Sequence, residues 1–117
     1  MMKSTLLRPG EKIHVIQRRS FDKDVRRHFV GQVEAYEDGI ARATGYVFVI
    51  DDLSEHLFVK RPDSRTKLIP AGSGDVIVNV IPKSVDIEGV SYQMDERSLR
   101  VTDGSAWSMD VKEFGWG

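Results

Sequence analysis

The histidines are the first residues to consider for chemistry, because imidazole serves both as a metal ligand and as an acid–base group near neutral pH. The chain has three of them, His14, His28 and His56, and it has no cysteine. None has a second histidine or a cysteine at metal-ligand spacing. We therefore expect no metal site, and we expect His28, at the start of a strand, to have a surface or edge role.

Other chemical signatures are also absent or weak. The acidic segment 51–55 (DDLSE) lacks the ligand alternation and the central glycine of an EF-hand loop. The glycine-rich segment 71–74 (AGSG) is followed neither by Gly-Lys-Ser/Thr nor by a helix-forming pattern, so it does not indicate a phosphate-binding loop. The nucleophile motif G-x-S-x-G is missing as well. The sequence predicts a protein that is not an enzyme and that uses no cofactor.

Basic residues offer a different kind of chemistry, the binding of phosphate groups. The net charge is only −1, yet residues 1–67 hold 13 Lys and Arg against 10 Asp and Glu, and residues 68–117 hold 4 against 8. The densest basic stretch is 12–27, and a local basic surface of this kind can bind RNA or single-stranded DNA. The alternative is that this stretch is a solvent-exposed rim whose basic side chains pair with Asp22 and Asp24. The candidate nucleic-acid contacts are Arg18, Arg19, Arg26, Arg27, Arg61 and Arg65.

Two β-patterned runs that meet at Asp38-Gly39 position many of these residues. Asp-Gly between apolar runs is typical of a two-residue type I′ hairpin turn, which needs positive φ at both positions. The turn fixes the register of the two strands, so the sequence predicts that Tyr46 lies opposite Gly31 and covers its bare backbone. It also places Arg42 diagonally across from Glu37, where we expect an ion pair.

A stripe of small side chains on one hairpin face predicts close packing against another element or another subunit. A later strand, residues 75–81, is apolar on both faces apart from one asparagine, which indicates burial on two sides. The C-terminal segment or a second subunit would provide the cover. The predicted oligomer or packing face consists of Ala41, Ala43, Gly45, Ile77, Asn79 and Ile81.

The remaining patterns also indicate strands. Residues 12–19 and 56–61 read as single strands, and residues 65–69 are extended and are expected to pair with 56–61 as a short hairpin. A C-terminal hairpin is predicted from Leu99–Thr102 and Ala106–Val111. A three-residue loop there places Val101 opposite Trp107 and makes one face uniformly apolar.

The run Gly31–Glu37 (GQVEAYE) and the later stretch 68–81 resemble the two sequence motifs of Sm and Sm-like proteins. The resemblance implies a small, closed, strongly bent five-stranded SH3/Sm-like barrel over residues 1–82. Residues 83–117 lie outside the resemblance, and we expect them to form a C-terminal β-hairpin extension packed on the barrel in a single domain. It also implies ring assembly through edge strands. The family's stacking and base-reading positions are occupied here by Gly39 and Ala41, and 70–74 replaces its Arg-Gly, so uridine-type recognition is not expected.

Two functions follow from these observations. The first is a non-enzymatic, oligomeric Sm-like binding module that contacts RNA or single-stranded DNA through its basic rim. The second is a protein-interaction or scaffold module with the same barrel and no nucleic-acid binding. We expect self-association and a cytoplasmic location, and no membrane partner, because no run of about 18 apolar residues is present.

Overall fold

The computed structural model describes residues 6–18, 26–50, 58–95 and 98–111, and these residues form an all-β structure with antiparallel pairing. The only helix among them is a single 3-10 turn, Ile87–Gly89. The strands are β1 (Lys12–Gln17), β2 (Arg27–Glu37), β3 (Ile40–Ile50), β4 (Phe58–Lys60), β5 (Arg65–Ile69), β6 (Val76–Ile81), β7 (Ser91–Asp95), β8 (Ser98–Thr102) and β9 (Ser108–Asp110).

The strands form two sheets. The first has the order β4-β3-β2-β1-β6, and β5 pairs with the first half of β3 on the same edge that β4 occupies further along. The second has the order β7-β8-β9. The all-β prediction is confirmed, but within the described ranges β5 and β6 do not pair, so no closed barrel is found. The predicted hairpin of 56–61 with 65–69 is wrong, because β5 pairs with β3.

The β2–β3 turn forms as predicted, but farther from the turn the pairing of the two strands differs from the prediction. Asp38 has φ of 49° and Gly39 has φ of 81°, so both central residues adopt the positive φ that the turn needs. A β-bulge between Val33 and Ala35 then shifts the pairing by one residue. Gly31 therefore lies opposite Gly45, and the predicted pair of Gly31 with Tyr46 is wrong.

Each face of the first sheet carries a buried core around β2. Successive side chains of a strand point to opposite faces, and four successive residues of β2, 28–31, are buried. The inner core, on one face, comprises Leu7, Ile13, Val15, Phe29, Val33, Ala41, Ala43 and Ile69. The intersheet core, between the first sheet and the second, comprises Val30, Phe48, Phe58, Ile81, Val85, Val90, Tyr92, Leu99, Val101 and Val111.

The paired glycines of β2 and β3 allow an unusually close approach of backbone and side chains. A Cβ atom added at Gly45 would lie 2.0 Å from the carbonyl oxygen of Val30 and 2.4 Å from the Cα of Gly31. A Cβ atom at Gly31 would lie 2.6 Å from the ring of Phe29. Phe29, rather than Tyr46, therefore covers the bare backbone of Gly31.

The second sheet covers the intersheet core, and it is larger than the predicted hairpin. The segment that forms β7 had not been assigned from the sequence. In the β8–β9 hairpin Val101 pairs with Met109, so five residues connect the strands and the predicted pairing of Val101 with Trp107 is displaced by two residues. A displacement of two keeps every side chain on its predicted face. Val101 is accordingly fully buried.

A polar cluster joins the two sheets inside this core. His14 Nε2 lies 2.9 Å from the hydroxyl of Tyr92, His28 Nδ1 lies 2.6 Å from the same hydroxyl, and the two ring nitrogens are 3.2 Å apart. The amide nitrogen of Asn79 is 3.3 Å from His14 Nδ1. The His28 ring stacks on Phe58 with centroids 4.1 Å apart. The expectation of a surface role for His28 is wrong, since only 6% of the residue is exposed.

Burial holds both histidines in the neutral form. It lowers the pKa of His14 to about 4. It is also the main reason that the pKa of His28 falls to about 2, with smaller contributions from the charges of His14 and Arg26. Burying an imidazolium without compensating charge is costly, so the neutral rings fit an apolar layer.

Replacing Gly45 with alanine should strongly destabilise the protein. The new methyl group would collide with backbone atoms of β2, which cannot rotate away, so we expect Gly45→Ala to lower the free energy of unfolding by about 3 kcal/mol or more. Urea unfolding followed by circular dichroism measures the change. Gly74→Ala is the control, because nothing lies within 4 Å of its Cβ position. Equal stability of the two variants would contradict the close approach.

The protein should lose stability as the pH falls from 7 to 5. Both folded-state pKa values lie below the unfolded value of 6.5, so the unfolded chain binds more protons in this window. We expect a loss of about 2 kcal/mol for each histidine between pH 7 and pH 5. Urea unfolding in buffers that contain a chelator measures it, and carboxylates titrate mainly below this window. A flat stability profile from pH 7 to pH 5 would contradict the buried neutral state.

Candidate anion-binding cleft

A cavity of about 420 Å³ opens at the end of the first sheet where β5 and β6 come near each other without pairing. Its floor is the apolar surface of the inner core, and three cationic side chains belong to its walls. The lining residues are Val15, Gln17, Arg18, Arg27, His28, Phe29, Val47, Lys67, Leu68, Ile69, Pro70, Asp75 and Val76.

Strand alternation on β5 brings Lys67 to the cleft. Lys67 and Ile69 are two residues apart and so share one face of the strand, and Ile69 is buried in the inner core. The ammonium nitrogen of Lys67 lies 5.9 Å from the centre of the Phe29 ring. This distance is within the range of a cation–π contact. A cation is thus held beside an aromatic ring at the cleft.

Arg18 and Arg27 belong to the opposite wall. The backbone amide of Arg18 donates to the carbonyl of Asp75 at 2.8 Å, and its guanidinium donates to the carbonyl of Gly74 at 3.4 Å. These bonds attach the end of β1 to the β5–β6 connection. Arg27 pairs with Gln17 in the β1–β2 register and shares the face of Phe29. The aliphatic part of the Arg27 side chain therefore extends from the same apolar face that forms the floor of the cleft.

The charges around the cleft are predominantly positive. Burial, followed by the neighbouring charges of Arg27 and Arg65, lowers the pKa of Lys67 below its usual value. Asp75 is the single acidic residue among those that line the cavity. Away from the cleft, Arg42 forms an ion pair with Glu34, at 3.4 Å, and not the predicted pair with Glu37. A site in which cations repel one another favours an anionic ligand.

The predicted nucleic-acid residues are partly brought together. Arg18 and Arg27 line the cleft, and Arg65 lies close enough to Lys67 to affect its pKa. Arg26 is half-buried and acts on His28, outside the lining. Arg61 is exposed just after β4, where its backbone amide donates to Val47 at 2.8 Å. Arg19 lies outside the described residues.

The predicted packing face is occupied from within the chain. Ala41 and Ala43 are fully buried in the inner core, and the β2 backbone covers Gly45. Asn79 contacts His14, and Ile81 belongs to the intersheet core. The last member, Ile77, is half-buried on β6. The strand predicted to be buried on two sides is thus an edge strand, most of whose residues are only partly buried.

Lys67 was not among the candidate site residues from the sequence, although the signal was present. In β5 the residues at 65, 67 and 69 share one face, and the last of them is a core isoleucine. A lysine two residues from a core side chain on a short strand extends along apolar surface toward its edge. The sequence does not show that β5 pairs with β3, and this pairing decides where Lys67 lies in the sheet.

Comparison of the chain with family models, curated proteins and solved structures finds no match. Within the described residues, no group of three or more His, Cys, Asp and Glu side chains is arranged to hold a metal ion. The described part also contains no helix long and apolar enough to cross a membrane. The cleft itself combines three cationic side chains with an apolar floor.

Proposed function

We propose that this protein is a binding module for single-stranded nucleic acid, either RNA or DNA, and that the cleft between β5 and β6 is its contact site. The observation that carries the proposal is the convergence of Arg18, Arg27 and Lys67 over an apolar floor that includes Phe29. The cations contact backbone phosphates, and the floor receives a base. No catalytic step is required of any residue.

Both halves of this ligand are needed to account for the cleft. A simple inorganic anion would be satisfied by the cations alone and gains nothing from apolar walls. A single strand presents phosphates together with unstacked bases, which is why single-strand binders combine basic grooves with aromatic surfaces. The cavity of about 420 Å³ is also within the usual size range of small-ligand pockets.

We also propose that the first sheet is related to Sm-like proteins, as an open form of their barrel. The chain then self-associates through the edge of β6. Among the described residues β6 pairs only with β1, so its outer edge has no strand partner there. Val80 on this strand is 55% exposed. An apolar edge strand of this kind readily pairs with another chain.

Binding to a short fluorescein-labelled oligo-uridine or oligo-thymidine (about ten nucleotides) should be salt-dependent. We expect the affinity to fall steeply between about 50 mM and about 200 mM NaCl, because bound phosphates release counterions. The double variant R27A/K67A should lose roughly tenfold in affinity at the lower salt and about 0.7 in the log–log salt slope for each contact removed. Fluorescence anisotropy titration measures both quantities.

The double variant R42A/R100A is the matched control for these titrations. It removes the same charge, yet neither arginine lines the cleft, since Arg42 pairs with Glu34 and Arg100 donates to Ser108. It should bind nearly as the parent does. Absence of binding at the lower salt, or an equal loss in both double variants, would rule out the cleft as a nucleic-acid site.

Size-exclusion chromatography with light scattering should give a mass that is a multiple of that of one chain. Val80→Lys places a charge on the β6 edge and should reduce the mass to that of a monomer. Met94→Lys is the control, because Met94 is similarly exposed, at 53%, but lies on the second sheet. A parent protein that remains monomeric at high concentration would remove self-association from the proposal.

A further inference from the structure

Three metal-ligand atoms converge between the two sheets. His14 Nε2, His28 Nδ1 and the hydroxyl of Tyr92 lie 2.6 to 3.2 Å from one another. They come from β1, β2 and β7, so residues far apart in sequence meet at one point in the intersheet core. All three residues are buried, and the His14 side chain is fully so. Imidazole and phenolate are donors that first-row transition metals accept.

We propose that His14, His28 and Tyr92 form a binding site for a divalent transition metal ion of the Zn²⁺ class, which fastens the second sheet to the first. Zinc bonds to nitrogen and oxygen are about 2.0 to 2.1 Å long. An ion located about 1 Å from the plane of the three atoms reaches all of them at this length. Donors of a tetrahedral site are about 3.3 Å apart, so the spacing of the three atoms has to increase by about 0.1 to 0.7 Å, most of all between His28 Nδ1 and the Tyr92 hydroxyl.

Protonation of the histidines does not oppose metal binding here. A histidine ligand must be unprotonated, and burial lowers the pKa of both rings far below neutral pH. The phenol of Tyr92 gives up its proton to solvent as the oxygen bonds to the ion, so one proton is released for each ion bound. The phenolate offsets one of the two positive charges of the ion.

Asn79 provides the outer contact that such a site needs. A metal-bound His14 carries its remaining proton on Nδ1, and that N–H requires an acceptor. The Asn79 amide lies 3.3 Å from this nitrogen. In the metal-free protein its amide nitrogen donates to Nδ1, and rotation of the amide by half a turn presents its oxygen as the acceptor in the metal-bound protein. The same residue thus satisfies His14 in both states.

The competing explanation is a hydrogen-bonded triangle with no metal. In that arrangement the Tyr92 hydroxyl donates to His28 Nδ1 and accepts from His14 Nε2, which the distances of 2.6 and 2.9 Å also allow. The two explanations differ in what they predict on addition of metal. The triangle gains nothing from Zn²⁺, whereas the proposed site gains affinity, thermal stability and a released proton.

The experiment uses the full chain without a polyhistidine tag, treated with EDTA and then freed of it. Isothermal titration with Zn²⁺ at neutral pH should give one ion per chain and a Kd in the micromolar range or tighter, with a higher thermal midpoint. Because one proton is released, the affinity should rise roughly tenfold for each pH unit between pH 7 and pH 8. Absence of saturable binding, or binding independent of pH, overturns the proposal.

Tyr92→Phe is the diagnostic variant, because it removes the donor oxygen and keeps the ring against Phe48 and Phe58. It should weaken Zn²⁺ binding at least tenfold while circular dichroism stays that of the parent. His28→Gln should do the same, and His56→Gln, at the third histidine, should not. If Tyr92→Phe fails to fold, pH-linked proton release by the parent still decides the outcome. Binding that persists in both Tyr92→Phe and His28→Gln overturns the proposal.

Discussion

The β2 strand must be covered on both of its sides, and the rest of the molecule is arranged to provide that cover. Four successive residues of β2, 28–31, are buried, and alternation sends them in opposite directions. On one side Phe29 packs into the inner core that Leu7 and Ile69 close. On the other side Val30 requires the second sheet. A single sheet with one solvated face would leave one of these sets exposed to water.

Close packing on the inner side depends on two glycines, which have no side chain. Gly31 and Gly45 face each other across the hairpin, and Phe29 occupies the space that a side chain at Gly31 would take. The same aromatic ring then forms part of the floor of the cleft. The glycine pair, the inner core and the cleft are therefore parts of one local arrangement, in which backbone geometry determines where the Phe29 ring lies.

On the intersheet side, polar groups lie within an apolar layer and need polar partners there. His14, His28 and Tyr92 contact one another, so each has a polar partner despite its burial. Apolar side chains pack in many relative positions, whereas directional contacts between named atoms admit few. This cluster consequently fixes where β7 lies on the first sheet.

Local signals in the sequence were sufficient for some features and not for others. The Asp38-Gly39 turn could be predicted because its geometry depends on two adjacent residues. The bulge between Val33 and Ala35 was not predicted, because the two-residue turn alone implies an unbroken register along the hairpin. The burial of His28 was also missed, since its partner Tyr92 is 64 residues away and spacing along the chain carries no trace of that contact.

The distance along the chain between the first sheet and the segment that covers it also determines the order in which the two are synthesised. All strands of the first sheet are complete by Ile81, yet the segment that covers the outer side of Val30 begins near Val85 and extends to Val111. A nascent chain therefore presents the strands of the first sheet with one uncovered apolar face until residues 85–111 emerge from the ribosome. Transiently exposed apolar surface of this kind favours aggregation. The C-terminal sheet is thus the element that ends this vulnerable interval.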